Sequence, residues 1–329
     1  MKRALLLPIF LLTLTCLSAE VRFVKAGSNG DGSSWEAAMG DLQQALRVAV
    51  AGDQIWVAAG KYLPTKNADR NASFKIADGV ELYGGFAGFE SDVDERNWKV
   101  NLTVLSGEIG SPSINDNSYS VVYTKHVSSA TIIDGFVITG GAANGTGSKG
   151  DIKRCGAGWY NDGSNGESSP TILNCLFVNN YGRDGAGLYN FAQNGTCNPT
   201  IRDCQFVSNR ADLDGGAIYN DGSKGICSPT IDNCLFDQNE ATYGAGLLNQ
   251  GDAGQSKPVI SNSLFTNNIS YIRGSSVYNS LNEGGVSEAI IQNCRFADNV
   301  ATVGKEVSST VNSETADSRK SNISYKSGY

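Results

Sequence analysis

The sequence predicts an all-β chain: a single-stranded, right-handed parallel β-helix, or solenoid, with a short N-terminal capping helix. Two phased repeats carry that prediction. GAGWYN ends at Asn161, and GAGLYN, GGAIYN, GAGLLN and GSSVYN end at Asn190, Asn220, Asn249 and Asn279, in steps of 29, 30, 29 and 30 residues. A second series keeps the same beat: TILNCLFVNN, TIRDCQFVSN, TIDNCLFDQN, VISNSLFTNN and IIQNCRFADN, with last asparagines at Asn180, Asn209, Asn239, Asn268 and Asn299. Short strand-like runs recurring at one period, with no helix between them, describe stacked coils.

Composition agrees. Glycine makes up 39 of 329 residues, about 12% against roughly 7% in average usage. Only 18% of residues are charged, which excludes a charge-rich disordered polymer and a coiled coil. A net charge of −7 argues against nucleic-acid binding by phosphate neutralisation.

Inside each repeat, Ile172, Ile201, Ile231, Ile260 and Ile291 are followed two residues on by Asn174, Asp203, Asn233, Asn262 and Asn293. A small residue comes next (Cys175, Cys204, Cys234, Ser263, Cys294), and a phenylalanine stands two beyond it. The small residue and the phenylalanine share one strand face. The isoleucine is out of phase with them, so the chain is expected to bend at the Asn or Asp, which tolerate left-handed backbone. Stacking then places like residues about 4.8 Å apart in ladders, with the right-handed coil as the default.

ATIIDGFVITGG (130–141) reads as an upstream coil, with Asp134 at the bend and Gly135 in the small slot. Nearer the N-terminus, Ser33-Ser34-Trp35-Glu36 has a capping-box pattern, and Leu42, Ala45, Leu46 and Ala49 keep the spacing of an apolar helix face. Such a helix would plug the end of the coil. Strands are expected at QIWVAA, VELYGGF, TVLSG and SVVYT, with surface loops at 63–76 and 87–101. Residues 20–329 are expected to form one domain: clear repeats over 156–303, then a decayed coil or tail over 304–329 in which Asn322 continues the beat.

Residues 1–19 read as a signal peptide: basic Lys2 and Arg3, an apolar run from Ala4 to Leu17, and Leu17-Ser18-Ala19 at the exit. A lipoprotein leader acylated at Cys16 is the alternative. No later stretch is long and apolar enough for a membrane span once the leader is removed. The chain is therefore expected to be secreted or held at the cell surface.

GDGSSWEAAMGDLQQAL, AGDQIWVAAGKYLPT, GVELYGGFAGFE, TVLSGEIG and DGFVITGG resemble the opening of secreted bacterial parallel β-helix proteins of the pectin-lyase-like superfamily. GGAI at Gly215–Ile218 and the FxxN tetrapeptides FVNN, FVSN, FDQN, FTNN and FADN resemble the repeats of polymorphic outer membrane proteins, the adhesin-like surface proteins of chlamydiae. The resemblance implies the fold and a surface location. It does not extend to a membrane barrel after Asn299, to the GHG motif of polygalacturonases (His126 is the only histidine), or to the basic residue and calcium aspartates of pectate lyases.

Four sets of residues are candidate sites. If Trp159, Leu188, Ile218, Leu247 and Val277 fill the core, then Tyr160, Tyr189, Tyr219 and Tyr278 line the outside, where they can dock a sugar chain or cover the sheet beneath loops. Asp162, Asp184, Asp214 and Asp221 form an acidic edge, suited to ordinary turns, to Ca²⁺ at Asp184 and Asp214, or to glycoside hydrolysis. Cys197 and Cys227 stack and have the spacing for a disulfide in an exported protein, while the small-slot cysteines serve for size. Lys149, Lys153 and Arg154 lie in the longest insertion, 142–155, as a solvated loop or an anionic-sugar contact. The functional expectation is a non-catalytic, adhesin-like or polysaccharide-binding protein whose partner is a polysaccharide or host-cell glycan. A polysaccharide lyase or glycoside hydrolase is the alternative. No cofactor is expected beyond Ca²⁺.

Overall fold

The computed structural model describes residues 19–303 and 307–309. The residues expected as a leader, with Cys16, and most of the expected decayed coil or tail, with Asn322, lie outside the described residues. Over the described residues the chain is a parallel β-solenoid with sheets of nine, eight, eight and six strands, the last confined to residues 142–301, plus a two-stranded pair. No helix among the described residues is long and apolar enough to cross a membrane.

The ladders follow from the repeats. In one sheet Ile172, Ile201, Ile231, Ile260 and Ile291 stack in register. In the next, Phe177, Phe206, Phe236, Phe265 and Phe296 stack with ring centroids 4.6, 5.2, 4.4 and 5.2 Å apart. Between these sheets the chain turns at Asn174, Asp203, Asn233, Asn262 and Asn293, each with φ between 51° and 57°. The third sheet sends Trp159, Leu188, Ile218, Leu247 and Val277 into the same core.

Polar groups inside the coil are satisfied by more ladders. Asn209 Nδ2 donates to Asn239 Oδ1 at 3.1 Å and to the Phe177 carbonyl at 2.9 Å, while its Oδ1 accepts from Asn180 Nδ2 at 3.0 Å. Asn161, Asn190, Asn220, Asn249 and Asn279 form a second amide row. The small slot is also a donor position. Cys204 Sγ donates to the Arg202 carbonyl at 3.2 Å, and Ser263 Oγ donates to the Ser261 carbonyl at 2.7 Å.

Several expectations need correction. Asp134 pairs with Leu173 and Val137 with Leu176, so Gly135 stands at the bend and Phe136 fills the small slot. Gly135 has φ 82°, which costs glycine less than aspartate. The N-terminal helix, Leu42–Val48, is capped by Asp41, which accepts from the Gln43 amide, and not by Ser33 or Ser34. It still buries Leu42, Ala45 and Leu46 in the main core. The loop expected at 63–76 ends in a strand, Phe74–Ile76, too short to show a period of its own. The 87–101 loop contains a 3₁₀ turn, Val93–Glu95, closed by Asp92 and Glu95.

Candidate functional site

The tyrosine row does point away from the core, but it does not reach solvent. Tyr160, Tyr189, Tyr219 and Tyr278 are 4%, 0%, 0% and 6% exposed and form a cluster of their own with Cys155 and Leu248. Tyr160 and Tyr189 stack at 5.4 Å, and Tyr189 meets Tyr219 edge-on at 5.0 Å. Their hydroxyls are used internally: Tyr160 donates to the Gly150 carbonyl, Tyr189 to Asp221 and Tyr219 to Gln250, at 2.6, 2.6 and 3.2 Å. Burial pushes all three hydroxyls above the ordinary tyrosine range. An open sugar-docking stripe is therefore not present here.

Part of the cover is the 144–155 segment, whose Ile152 packs on the cluster alongside Phe191 and Tyr243. Lys149 Nζ reaches across the coils to Gln250 Oε1 at 3.3 Å and lies 5.5 Å from the Tyr219 ring centre. Arg154, expected as solvated, is 8% exposed and donates twice to Asp184 Oδ2, from Nε at 3.1 Å and Nη2 at 2.8 Å. Arg154 thus occupies the position beside Asp184 that a calcium ion would need. Among the described residues no group of three or more His, Cys, Asp or Glu side chains could hold a metal. Burial holds the Asp184 carboxyl above its usual value despite Arg154. Asp214, stacked on Asp184, is raised to about 7, by burial first and by Asp184 next. The remaining acids serve turns: Asp162 accepts from Ser164 and Asp221 from the Ser223 amide.

The expected disulfide is not formed. Cys197 and Cys227 pack against Ala192, fully buried, and both are free thiols. His126 is exposed, with Nε2 2.8 Å from the Ser164 carbonyl oxygen.

Among several open grooves of similar volume, one follows the repeat itself. A groove of about 640 Å³ runs along the bend between the isoleucine and phenylalanine sheets. Its floor is the outward row Val137, Leu176, Gln205, Leu235 and Leu264, stacked in register over four steps, which is roughly 19 Å at 4.8 Å a step. One wall is the bend row, Asn174, Asp203, Asn233 and Asn262; the other end is closed by Trp98, Lys99 and Leu102. Within the bend row Asn174 Nδ2 donates to Asp134 Oδ1 at 2.8 Å, and Asn233 Nδ2 to Asp203 Oδ1 at 2.5 Å.

Trp98 is placed by two neighbours. The Arg96 guanidinium sits 5.0 Å from the Trp98 ring centre and pairs with Asp134 at 2.6 Å. A side chain at Gly85 (φ 95°) would meet the Trp98 backbone at 2.7 Å, so only glycine admits the loop. Period-2 alternation in LFV, QFV and LFD marks the floor residues as outward, a signal the sequence reading did not connect with a site. Trp98 had no such signal, because it arrives from a loop outside the repeats.

The repeat described as "Chlamydia polymorphic membrane protein (Chlamydia_PMP) repeat" matches residues 203–221. That stretch carries one FVSN bend and the GGAIYN that follows it. Among solved structures, "Crystal structure of pectate lyase Pel9A" is similar at 12% identity and a TM-score of 0.47, over 92% of this chain and 82% of that one. No curated relative matches. The chain is thus a β-solenoid with a repeat of the polymorphic membrane protein type.

Proposed function

We propose that this chain is an exported, surface-displayed solenoid that binds a polysaccharide or cell-surface glycan along the Trp98–Leu264 groove, in the manner of an adhesin, without turning it over. The groove carries the reading. It offers a strip of Val137, Leu176, Leu235 and Leu264, interrupted by Gln205, for the CH faces of sugar rings beside the polar row Asn174, Asp203, Asn233 and Asn262, repeated at one spacing as a linear polymer requires. The match to a membrane-protein repeat supports display at the surface.

The test is retardation of the purified protein in gels containing a panel of linear polysaccharides. Wild type is expected to be retarded by at least one of them, and Leu176→Glu with Leu235→Glu to migrate freely while keeping its circular dichroism. Equal retardation of both proteins would remove the groove from the account.

One observation favours a second reading, a lyase or glycoside hydrolase built on Asp184 and Asp214. A carboxyl raised to about 7 has the range of a general acid or base. This reading requires the 144–155 segment to be displaced. Chain-shortened products that disappear in Asp184→Asn with Asp214→Asn would establish it.

A further inference from the structure

Trp98 differs from the other three tryptophans. Trp35, Trp56 and Trp159 donate their indole N–H to the Glu90 carbonyl, Gln54 Oε1 and Thr124 Oγ1, at 2.9, 2.9 and 2.8 Å. Trp98 is half-buried at the end of the groove, and among the described residues its indole N–H has no acceptor. Such a ring suits a binding surface: its face supplies apolar area and its N–H supplies direction.

The loop that carries Trp98 walls off one end of the groove. In the repeats, the turn between the isoleucine and phenylalanine sheets takes two residues, as at Asn174-Cys175 between strands Thr171–Leu173 and Leu176–Val178. Two coils earlier, residues 87–102 fill that place, between strands Glu81–Phe86 and Thr103–Ser106. The Asn97 amide and Asn101 Nδ2 donate to the Gly85 carbonyl at 2.8 and 3.2 Å, and the Leu102 carbonyl accepts from the Gly60 amide at 3.1 Å.

From these ties the loop leans over the next coil. A side chain at Gly135 would meet Trp98 Cβ at 3.0 Å, at the bend where the repeats carry Asn or Asp. The Arg96 guanidinium lies 5.0 Å from the Trp98 ring centre and 5.2 Å from that of Tyr83, and its bond to buried Asp134 fixes it there. At the far end the floor row runs past Leu264 to exposed Arg295, and the turn there is again two residues, between Ile290–Gln292 and Arg295–Ala297. One end is walled and the other is open.

We propose that the groove takes the terminus of a polysaccharide chain, with the terminal ring on Trp98 and its hydroxyls within reach of the free indole N–H. The next rings run out over Leu176, Leu235 and Leu264. The interior of a chain would have to continue through Trp98, Lys99 and Leu102. This proposal rests on the groove being the glycan site, as read above.

Competition tests it. Wild type is bound to beads carrying the polysaccharide that retards it, and is displaced by that polysaccharide, intact or partly acid-hydrolysed to oligosaccharides long enough to span the groove. At equal mass, hydrolysis that multiplies the chain ends is expected to strengthen displacement by the same factor. Trp98→Ala is expected to lose the beads, and Trp98→Phe, which keeps a ring without the donor, to hold them weakly. Equal displacement by intact and hydrolysed chains would overturn end binding while leaving the groove as the glycan site, and this comparison needs no variant. Retention of folded Trp98→Ala at the wild-type level would overturn it as well. Failure of every polysaccharide to retard wild type would overturn the glycan reading and this proposal together.

Discussion

Arg154 places Nε and Nη2 on the same Asp184 oxygen, at 3.1 and 2.8 Å, across 30 residues of sequence. The contact joins a non-repeating insertion to the repeat. It decides that a row of outward tyrosines becomes a second interior.

Arg154→Leu is expected to cost about 3–5 kcal/mol, because Asp184 would remain buried without its partner. Replacing both residues by leucine should recover most of that loss. Urea unfolding of the single and double variants measures the difference.

The amide row makes a separate prediction. Asn209→Asp keeps the shape but cannot donate to the Phe177 carbonyl or to Asn239. A loss of at least ~2 kcal/mol is expected from the orphaned acceptors and the buried charge. Asn174→Asp, in the partly exposed bend row, should cost less than half as much by the same unfolding measurement.

Cys204→Ser should fold with a loss below ~1 kcal/mol, since serine donates from the same slot at Ser263. Cys204→Val should lose more, having no donor for the Arg202 carbonyl. Alkylation of the unfolded protein without reductant should label all seven described cysteines, including Cys197 and Cys227. A mass lacking two labels would restore the disulfide.

Stability should fall as pH rises from about 4 to about 7, the window set by the raised Asp214 carboxyl. Asp214→Asn should flatten that slope and be the more stable protein at pH 8. The gain is bounded by ~4 kcal/mol for a shift of this size, and partial exposure reduces it. Thermal unfolding of both proteins at pH 5 and pH 8 measures it.

The ladders were legible because each repeat re-creates the same surroundings, so Ile, Asn, Cys and Phe at fixed offsets report one buried environment five times. The bend in the upstream coil was misplaced by one residue because Asp134 and Gly135 both tolerate left-handed backbone. Burial of the tyrosines was not legible: Lys149 and Gln250 lie 101 residues apart, and no period links them. The groove was half legible. Leu176 and Leu235 are outward by alternation, but Trp98 reaches them only because Gly85 and Arg96 guide a loop from outside the repeats.

Oxidative footprinting of the protein with and without a polysaccharide that retards it tests the central claim most directly. Protection confined to Trp98, Leu176, Leu235 and Leu264 is the predicted result. Protection of Tyr189 and Tyr219 with no change at those four residues would contradict it and move the binding face beneath the 144–155 segment.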